Sequence, residues 1–412
     1  MKILYVNAIY WGGGAEKIAR QLYFSIKDEE TQTYFIAGRH QKNVPKFVSV
    51  IYNSFLQRAA SAVAGIINHN ILFVTFRARK QIIKLIKREK VDIVHLHNIH
   101  GNYLGLYDLQ KIRKYCPNII ITMHDMWLLT GCCPHGMSCM KWQKTKDCHE
   151  CLGNEYLRKG TKRAAVYLKC KSRNFSNLGY TFVCPSKWLI DCCRQSYLKN
   201  EDIRLINNGI NTKIFYPCNQ SDIRKKHNIP SDKNIIMFSA NKINSPYKGF
   251  AYLREALMFL KNKEEYCLLL VGKNEANLLL PFDTVVVDYV KDENIMRELY
   301  VAADIFVVPS MADTSPLTIM EAMASGTPVV AFKTGGIPEI VSEETGWIVE
   351  QGNSKALAEK IEQAFQNKEE LDKKRIKCRS HIEKDYSEEA MIKGYRDLYI
   401  EILQKKNIKN TL

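Results

Sequence analysis

The chain has 412 residues, enough for two domains of ordinary size, and no run in it approaches the ~20 apolar residues of a membrane span. Its formal net charge of +17 is lopsided: residues 1–208 hold 32 Lys and Arg against 14 Asp and Glu, whereas residues 209–412 hold 28 against 29. Thirteen cysteines, an odd number spread along a long chain, make a poor disulfide framework and fit reduced thiols in a cytoplasmic protein.

Lys2–Asn7 is expected as the first strand, since its apolar run is too short for a signal-peptide core. It leads into Trp11-Gly12-Gly13-Gly14 and a helix from Ala15. Glycines let a backbone approach a ligand closely and a helix start suits anions, so Gly13 and Gly14 are candidate binding residues, with a plain tight turn as the rival reading. Lys17 stands where a dinucleotide fingerprint would want a further glycine. The next strands are expected at 34–37, 93–96, 119–123 and 181–185.

Between them, Arg77, Arg79, Lys80, Lys84, Lys87, Arg88 and Lys90 alternate with Ile82, Ile83, Leu85 and Ile86 at helical spacing. Such a helix reads as a surface element facing anionic lipid, with Ile82, Ile83 and Ile86 shallowly inserted; an ordinary solvated helix face is the alternative. No recognition motif for nucleic acid accompanies the charge. A second basic cluster comprises Arg158, Lys159, Lys162, Arg163, Lys169, Lys171 and Arg173.

His95-Leu96-His97-Asn98-Ile99-His100-Gly101-Asn102-Tyr103 ends one strand, and Thr122-Met123-His124-Asp125 ends the next. Imidazoles and a carboxylate at strand carboxyl ends suit contacts to hydroxyl groups. His97, Asn98, His100, Tyr103, His124 and Asp125 are therefore candidate site residues, with packing as the other reading. Cys133, Cys139, Cys148 and Cys151 follow within twenty residues, and Cys148-x2-Cys151 has zinc-knuckle spacing. Four sulfurs would close a structural zinc site; packing thiols or a conditional disulfide are the alternatives.

Ile206-Asn207-Asn208-Gly209-Ile210-Asn211 is rich in turn residues and reads as a linker. Beyond it, strands are expected at 235–239, 266–271, 285–287, 305–308 and 329–332, with helices between them. That gives two doubly wound parallel sheets in series. Lys242 and Lys248-Gly249 follow the first of these strands. After strand 305–308 come Asp313-Thr314-Ser315-Pro316 and a helix from Leu317 that ends at Gly326, a left-handed cap. Asp313, Ser315 and Leu317 thus gather at a helix N-terminus that favours phosphate, and Glu321, one turn in, leans back toward it. The last helix, 388–405, carries Tyr395, Leu398, Tyr399 and Ile402 on one side.

Asp313 to Glu321 resembles the acidic-x7-Glu motif of the retaining nucleotide-sugar glycosyltransferases of family 4, although the family usually begins it with Glu-Gly-Phe-Gly. Gly13-Gly14-Ala15-Glu16, Lys248-Gly249 and Asn208-Gly209-Ile210-Asn211 match further family patterns. The stretch 91–157 is similar to a subgroup that builds bacterial capsule, exopolysaccharide or O-antigen chains. It shares His-Leu-His-Asn-Ile-His-Gly-x-Tyr, Cys139-Met140-Lys141-Trp142 and Cys148-x2-Cys151.

The resemblance implies an α/β GT-B fold: two Rossmann-like domains facing a cleft. Residues 1–208 would bind the acceptor, with a last helix (388–406) packing back onto them, and residues 209–387 would bind the nucleotide sugar. It implies that Glu321 holds the ribose and Asp313 the donor sugar. Lys242 and Lys248 would neutralise the diphosphate, and Gly13, Gly14, Ser315 and Leu317 would line the donor. His124 would position the sugar, and His97, Asn98, His100, Tyr103 and Asp125 would face the acceptor. The implied activity is hexosyl transfer from a UDP- or GDP-sugar to a lipid-linked oligosaccharide, at the cytoplasmic face of an anionic membrane. No catalytic cofactor is required, apart from the structural zinc the cysteines point to. An epimerase of the same fold and a non-catalytic glycan or nucleotide-sugar binding protein are the alternatives.

Overall fold

The computed structural model describes all residues except 53–75, 102, 137–138, 145–147, 149–162, 274–282 and 412. Asn102, Cys151, Arg158, Lys159 and Lys162 lie outside the described residues. The chain divides into two units, residues 1–207 with 391–412, and residues 208–390.

The first unit is built on β1 (Lys2–Asn7), β2 (Gln32–Arg39), β3 (Val48–Tyr52), β4 (Ile93–His97), β5 (Ile119–Thr122), β6 (Thr181–Cys184) and β7 (Asp202–Leu205). They pair in the order β3-β2-β1-β4-β5-β6-β7, all parallel. The second unit has β8 (Asn234–Lys242), β9 (Tyr266–Lys273), β10 (Thr284–Val287), β11 (Ile305–Val308), β12 (Val329–Phe332) and β13 (Gly346–Val349). Their order is β10-β9-β8-β11-β12-β13, again all parallel.

The central strands are continuous apolar runs such as Ile3-Leu4-Tyr5-Val6, fully buried because helices cover both sheet faces. Strand order reverses between β1 and β4 and between β8 and β11, which makes these the two switch points where α/β sheets take ligands. The architecture is the pair of doubly wound sheets expected from the sequence. The strands that escaped sequence reading, β3, β7 and β13, all sit at sheet edges. β3 and β7 are partly solvated and mix polar with apolar residues, so their periodicity is weak, whereas β13 is apolar and largely buried.

One expectation about the basic clusters is corrected. The helix Phe76–Glu89 does not offer its apolar side to lipid: Ile82, Leu85 and Ile86 are buried in the core of the first unit, and Ile83 packs against that core. Sheet burial removes more water from these side chains than shallow insertion would, so the face is already used. Arg77 donates to the Ile51 carbonyl at 2.9 Å and Arg79 pairs with Asp108 at 3.2 Å. Lys80, Lys84, Lys87, Arg88 and Lys90 form an exposed row. In the second cluster, Lys169 and Arg173 are exposed but Lys171 is completely buried.

The last helix, Glu388–Thr411, buries Tyr395, Leu398 and Tyr399 within the first unit. Arg204 and Glu401 anchor it at 2.8 Å. Among the described residues no helix is long and apolar enough to cross a membrane.

Candidate functional site

In the second unit the switch point sets the loops after β8 and β11 side by side. Gly249 has φ +72°, and a Cβ there would stand 1.8 Å from the Pro309 carbonyl oxygen. Only glycine therefore lets the turn Pro246–Lys248 close on the β11 loop. The Met311 N–H donates to the Tyr247 carbonyl at 2.8 Å across the same contact. Lys248 Nζ then reaches Asp313 Oδ2 at 2.7 Å, with the carboxylate the less exposed partner. Lys242 is exposed at the end of β8.

The helix Leu317–Ala324 starts behind Asp313 with Pro316 at its N-cap and no side-chain cap. Ser315 is buried, and its hydroxyl has no hydrogen-bond partner among the described residues. The Asn208 amide donates to the Ser315 carbonyl at 3.3 Å. Leu317 is buried as the helix's first apolar anchor.

Glu321 is 8% exposed and accepts a hydrogen bond from the Tyr300 hydroxyl at 3.4 Å. Burial foremost, and then the Glu321 charge, push the Tyr300 phenol well above its ordinary range, so it remains a donor. Tyr300 thus adjoins the candidate site, a contact that sequence reading missed. Its place on the buried side of the amphipathic helix Glu293–Ala302 carries only a packing signal.

In the first unit, the Gly12–Gly14 loop is exposed at the carboxyl end of β1. Glu16 folds back beside it and accepts from the Asn98 amide at 2.8 Å, joining the β1 and β4 loops. Beneath lies a file of imidazoles. His95 is held between the Tyr399 hydroxyl and Thr122 Oγ1, both at 2.7 Å. His97 Nδ1 meets His124 Nε2 at 2.9 Å, and the two rings stack with centroids 5.2 Å apart. Tyr399 also contacts the Tyr5 hydroxyl at 3.2 Å, and Thr122 contacts Tyr395 at 2.9 Å.

Burial drives His95 and His97 far below the ordinary histidine range and His124 down to about 4, with Asp125 opposing the shift at His124. These imidazoles are neutral near pH 7. His100 pairs with Asp125 Oδ2 at 3.0 Å, and the Trp127 N–H donates to Oδ1 at 2.8 Å. Burial pushes Asp125 up, but His100, that N–H and His135 outweigh it and hold the carboxyl low.

Not every expected residue faces a ligand. His97 and Tyr103 are fully buried, and the Tyr103 hydroxyl donates to the His97 carbonyl at 3.5 Å. Cys139 is exposed, while Cys148 packs in a small cluster with Ala164 and Leu168. Among the described residues no three His, Cys, Asp or Glu side chains are placed to hold a metal ion. Cys151, the fourth expected ligand, lies outside the described residues.

Residues 12–214 match the glycosyltransferase family 4 and residues 219–382 match the glycosyl transferases group 1. The chain belongs to this family of glycosyltransferases, with the GT-B fold. It is 22% identical over 340 residues to an Escherichia coli UDP-Gal:alpha-D-GlcNAc-diphosphoundecaprenol alpha-1,3-galactosyltransferase, covering 78% of this chain and 79% of that one. It is 23% identical over 216 residues to the N-acetyl-alpha-D-glucosaminyl L-malate synthase of Bacillus anthracis, covering 50% of this chain and 55% of that relative. Sucrose-phosphate synthase from Thermosynechococcus elongatus shares the fold, with a TM-score of 0.76, 18% identity and coverage of 98% and 100%.

The neutral imidazoles make the first unit sensitive to acid. Unfolded histidine takes up its proton near 6.5, whereas folded His124 does so near 4 and His95 and His97 are also depressed. Across that interval the unfolded chain binds more protons, so stability present above pH 6.5 is lost as pH falls toward 4. His124 alone would contribute on the order of 3 kcal/mol. Thermal melts should show a falling midpoint over this range, with a shallower fall in His124→Gln. An unchanged slope in that variant would place the titrating group elsewhere.

Proposed function

We propose that the protein is a retaining hexosyltransferase that moves a hexose from a UDP- or GDP-sugar to a lipid-linked oligosaccharide, in the synthesis of a bacterial surface polysaccharide. The observation that carries this reading is the Lys248–Asp313 ion pair at a switch point, with Glu321 one helical turn behind it. The second unit takes the donor. Glu321, steadied by Tyr300, accepts hydrogen bonds from the ribose hydroxyls. Lys248 and Lys242 meet the diphosphate, helped by the Ser315 hydroxyl and the N–H groups at Leu317. Asp313 meets the sugar, and until a donor arrives it holds Lys248 in place; the lysine then exchanges one anionic partner for another.

The first unit takes the acceptor through Asn98, His100 and Asp125, beside His124, which positions the sugar. His97 and Tyr103 act from beneath, His97 by orienting His124 through their hydrogen bond. A neutral His124 positions a sugar hydroxyl without adding charge. In the transfer, the bond from the anomeric carbon to the phosphate oxygen breaks as the acceptor oxygen bonds on the same face. The electron pair stays with the departing diphosphate, whose oxygen takes the acceptor proton. Fixed ammonium groups at those oxygens stabilise the charge as it develops.

A diphosphate-linked lipid acceptor, of the kind named for the Escherichia coli relative, fits the cationic excess of residues 1–208. We place the enzyme peripherally on the cytoplasmic face of the membrane. The exposed row Lys80, Lys84, Lys87, Arg88 and Lys90 would be drawn to anionic headgroups, each contributing ~1 kcal/mol near the surface, without insertion of the isoleucines beneath.

Glu321→Ala should weaken donor affinity roughly ten- to hundredfold in calorimetry across a panel of UDP- and GDP-sugars, the worth of a charge-assisted hydrogen bond. Lys248→Ala should lower turnover more than donor affinity, because the diphosphate charge peaks in the transition state. Wild-type turnover in that variant would move the diphosphate site elsewhere. For the membrane reading, the protein should sediment with anionic but not zwitterionic vesicles, salt should release it, and reversing Lys84, Lys87 and Arg88 to Glu should abolish sedimentation. Equal binding to both vesicle types would remove the electrostatic argument.

A further inference from the structure

Lys171 lies on the helix Arg163–Phe175, and nothing in the family resemblance assigns it a role. It is fully buried, and no carboxylate among the described residues stands within ion-pair distance of it. Its ammonium donates to three backbone carbonyls: Trp127 at 2.5 Å, Thr130 at 2.9 Å and Gly131 at 3.1 Å. It also sits 3.5 Å from the centroid of the Trp127 ring. An ammonium has three donors, and all three are used.

A charge buried without a counter-ion is expensive, and an apolar side chain of similar length would fill the same space without that cost. What the charge accomplishes is local. It gathers the carbonyls of the turn that immediately follows His124 and Asp125. Gly131 lies so close to the same helix that a Cβ there would come within 2.6 Å of the Ala164 carbonyl oxygen. From Trp127 the constraint passes onward: its N–H fixes Asp125, Asp125 pairs with His100, and the His100 ring rests against the Trp127 ring at 5.4 Å.

We propose that Lys171 is a positioning residue for glycosyl transfer, whose ammonium locks the Trp127–Gly131 turn and thereby sets the Asp125–His100 pair beside His124 toward the acceptor. The inference rests on the reading of His124, Asp125 and His100 as the acceptor side. The titratable and charged groups facing Asp125 are His100, His124, His135 and Lys171. Loosening the turn weakens the Trp127 N–H bond, and removing the ammonium withdraws a nearby positive charge. Both effects raise the Asp125 pKa and move the acid limb of the rate profile to higher pH.

The test uses the full chain with radiolabelled nucleotide sugar and membrane extract as acceptor, and normalises rates to folded protein. Lys171→Met should lower turnover roughly a hundredfold, the scale of an ångström misplacement, and shift the acid limb upward, while donor affinity stays within about twofold. Trp127→Leu keeps the three carbonyls but removes the ring between Lys171 and His100; it should lose roughly tenfold and shift the limb the same way. A purely structural role would lower the melting temperature and leave turnover per folded molecule, acceptor KM and pH profile unchanged, which would overturn the proposal. If Lys171→Met does not fold, Trp127→Leu decides the matter by the same criteria. Asp125→Asn, run in parallel, separates the two levels. Wild-type transfer in Asp125→Asn defeats the acceptor-side reading, whereas loss there with normal transfer in Lys171→Met defeats only the role of Lys171.

Discussion

A parallel sheet delivers the carboxyl ends of all its strands to one edge, and where strand order reverses the loops leave toward opposite faces. Both units depend on that constraint. It brings Glu16 to Asn98 across 82 residues of chain in the first unit and Lys248 to Asp313 across 65 in the second. Apolar strands buried on both faces keep the two edges rigid. Reactive side chains can then stand on short loops and still meet at hydrogen-bond distance.

Beneath the edge of the first unit lies a polar layer that a plain βα repeat does not require. Tyr5, Tyr399, His95, Thr122 and Tyr395 form one connected run of hydrogen bonds, and two of its phenols come from the last helix. Polar groups buried at such depth are costly unless paired, and when paired in series they specify one arrangement. The histidine file grows out of this layer: the His95 and His97 rings lie 4.2 Å apart, and His97 meets His124. Burial keeps the file uncharged, so His124 reaches the surface as a neutral imidazole with a fixed orientation.

The two lysines show how environment divides one chemistry into two functions. Lys248 is partly exposed and faces a carboxylate, which in the proposed mechanism gives way to a diphosphate. Lys171 is sealed from water, and its partners are carbonyls that cannot leave. Desolvation draws Lys171 down to about 7, while neighbouring thiols and Asp125 draw it back up. An exchangeable partner suits a residue that must bind and release; fixed acceptors suit one that holds a loop.

Much of this was legible in the chain itself. Short apolar runs separated by helical spacing disclosed the central strands, because strands covered on both faces must be apolar throughout. The acid-x7-Glu spacing and Lys248-Gly249 marked the second unit's candidate site through their resemblance to the family 4 motifs, which are local in the chain. The edge strands β3 and β7 were not legible, since solvent on one side breaks up their pattern. Nor was the use of a face: Ile82 and Ile86 have the spacing of a membrane-surface helix and of a core helix alike, and only the sheet against them decided. The same holds for Lys171, one of seven cations in a basic stretch, and for Tyr300, apolar by context until it meets Glu321. Sequence determines what a side chain is able to do; burial and neighbours, which tertiary structure alone supplies, decided which of those capacities each one uses.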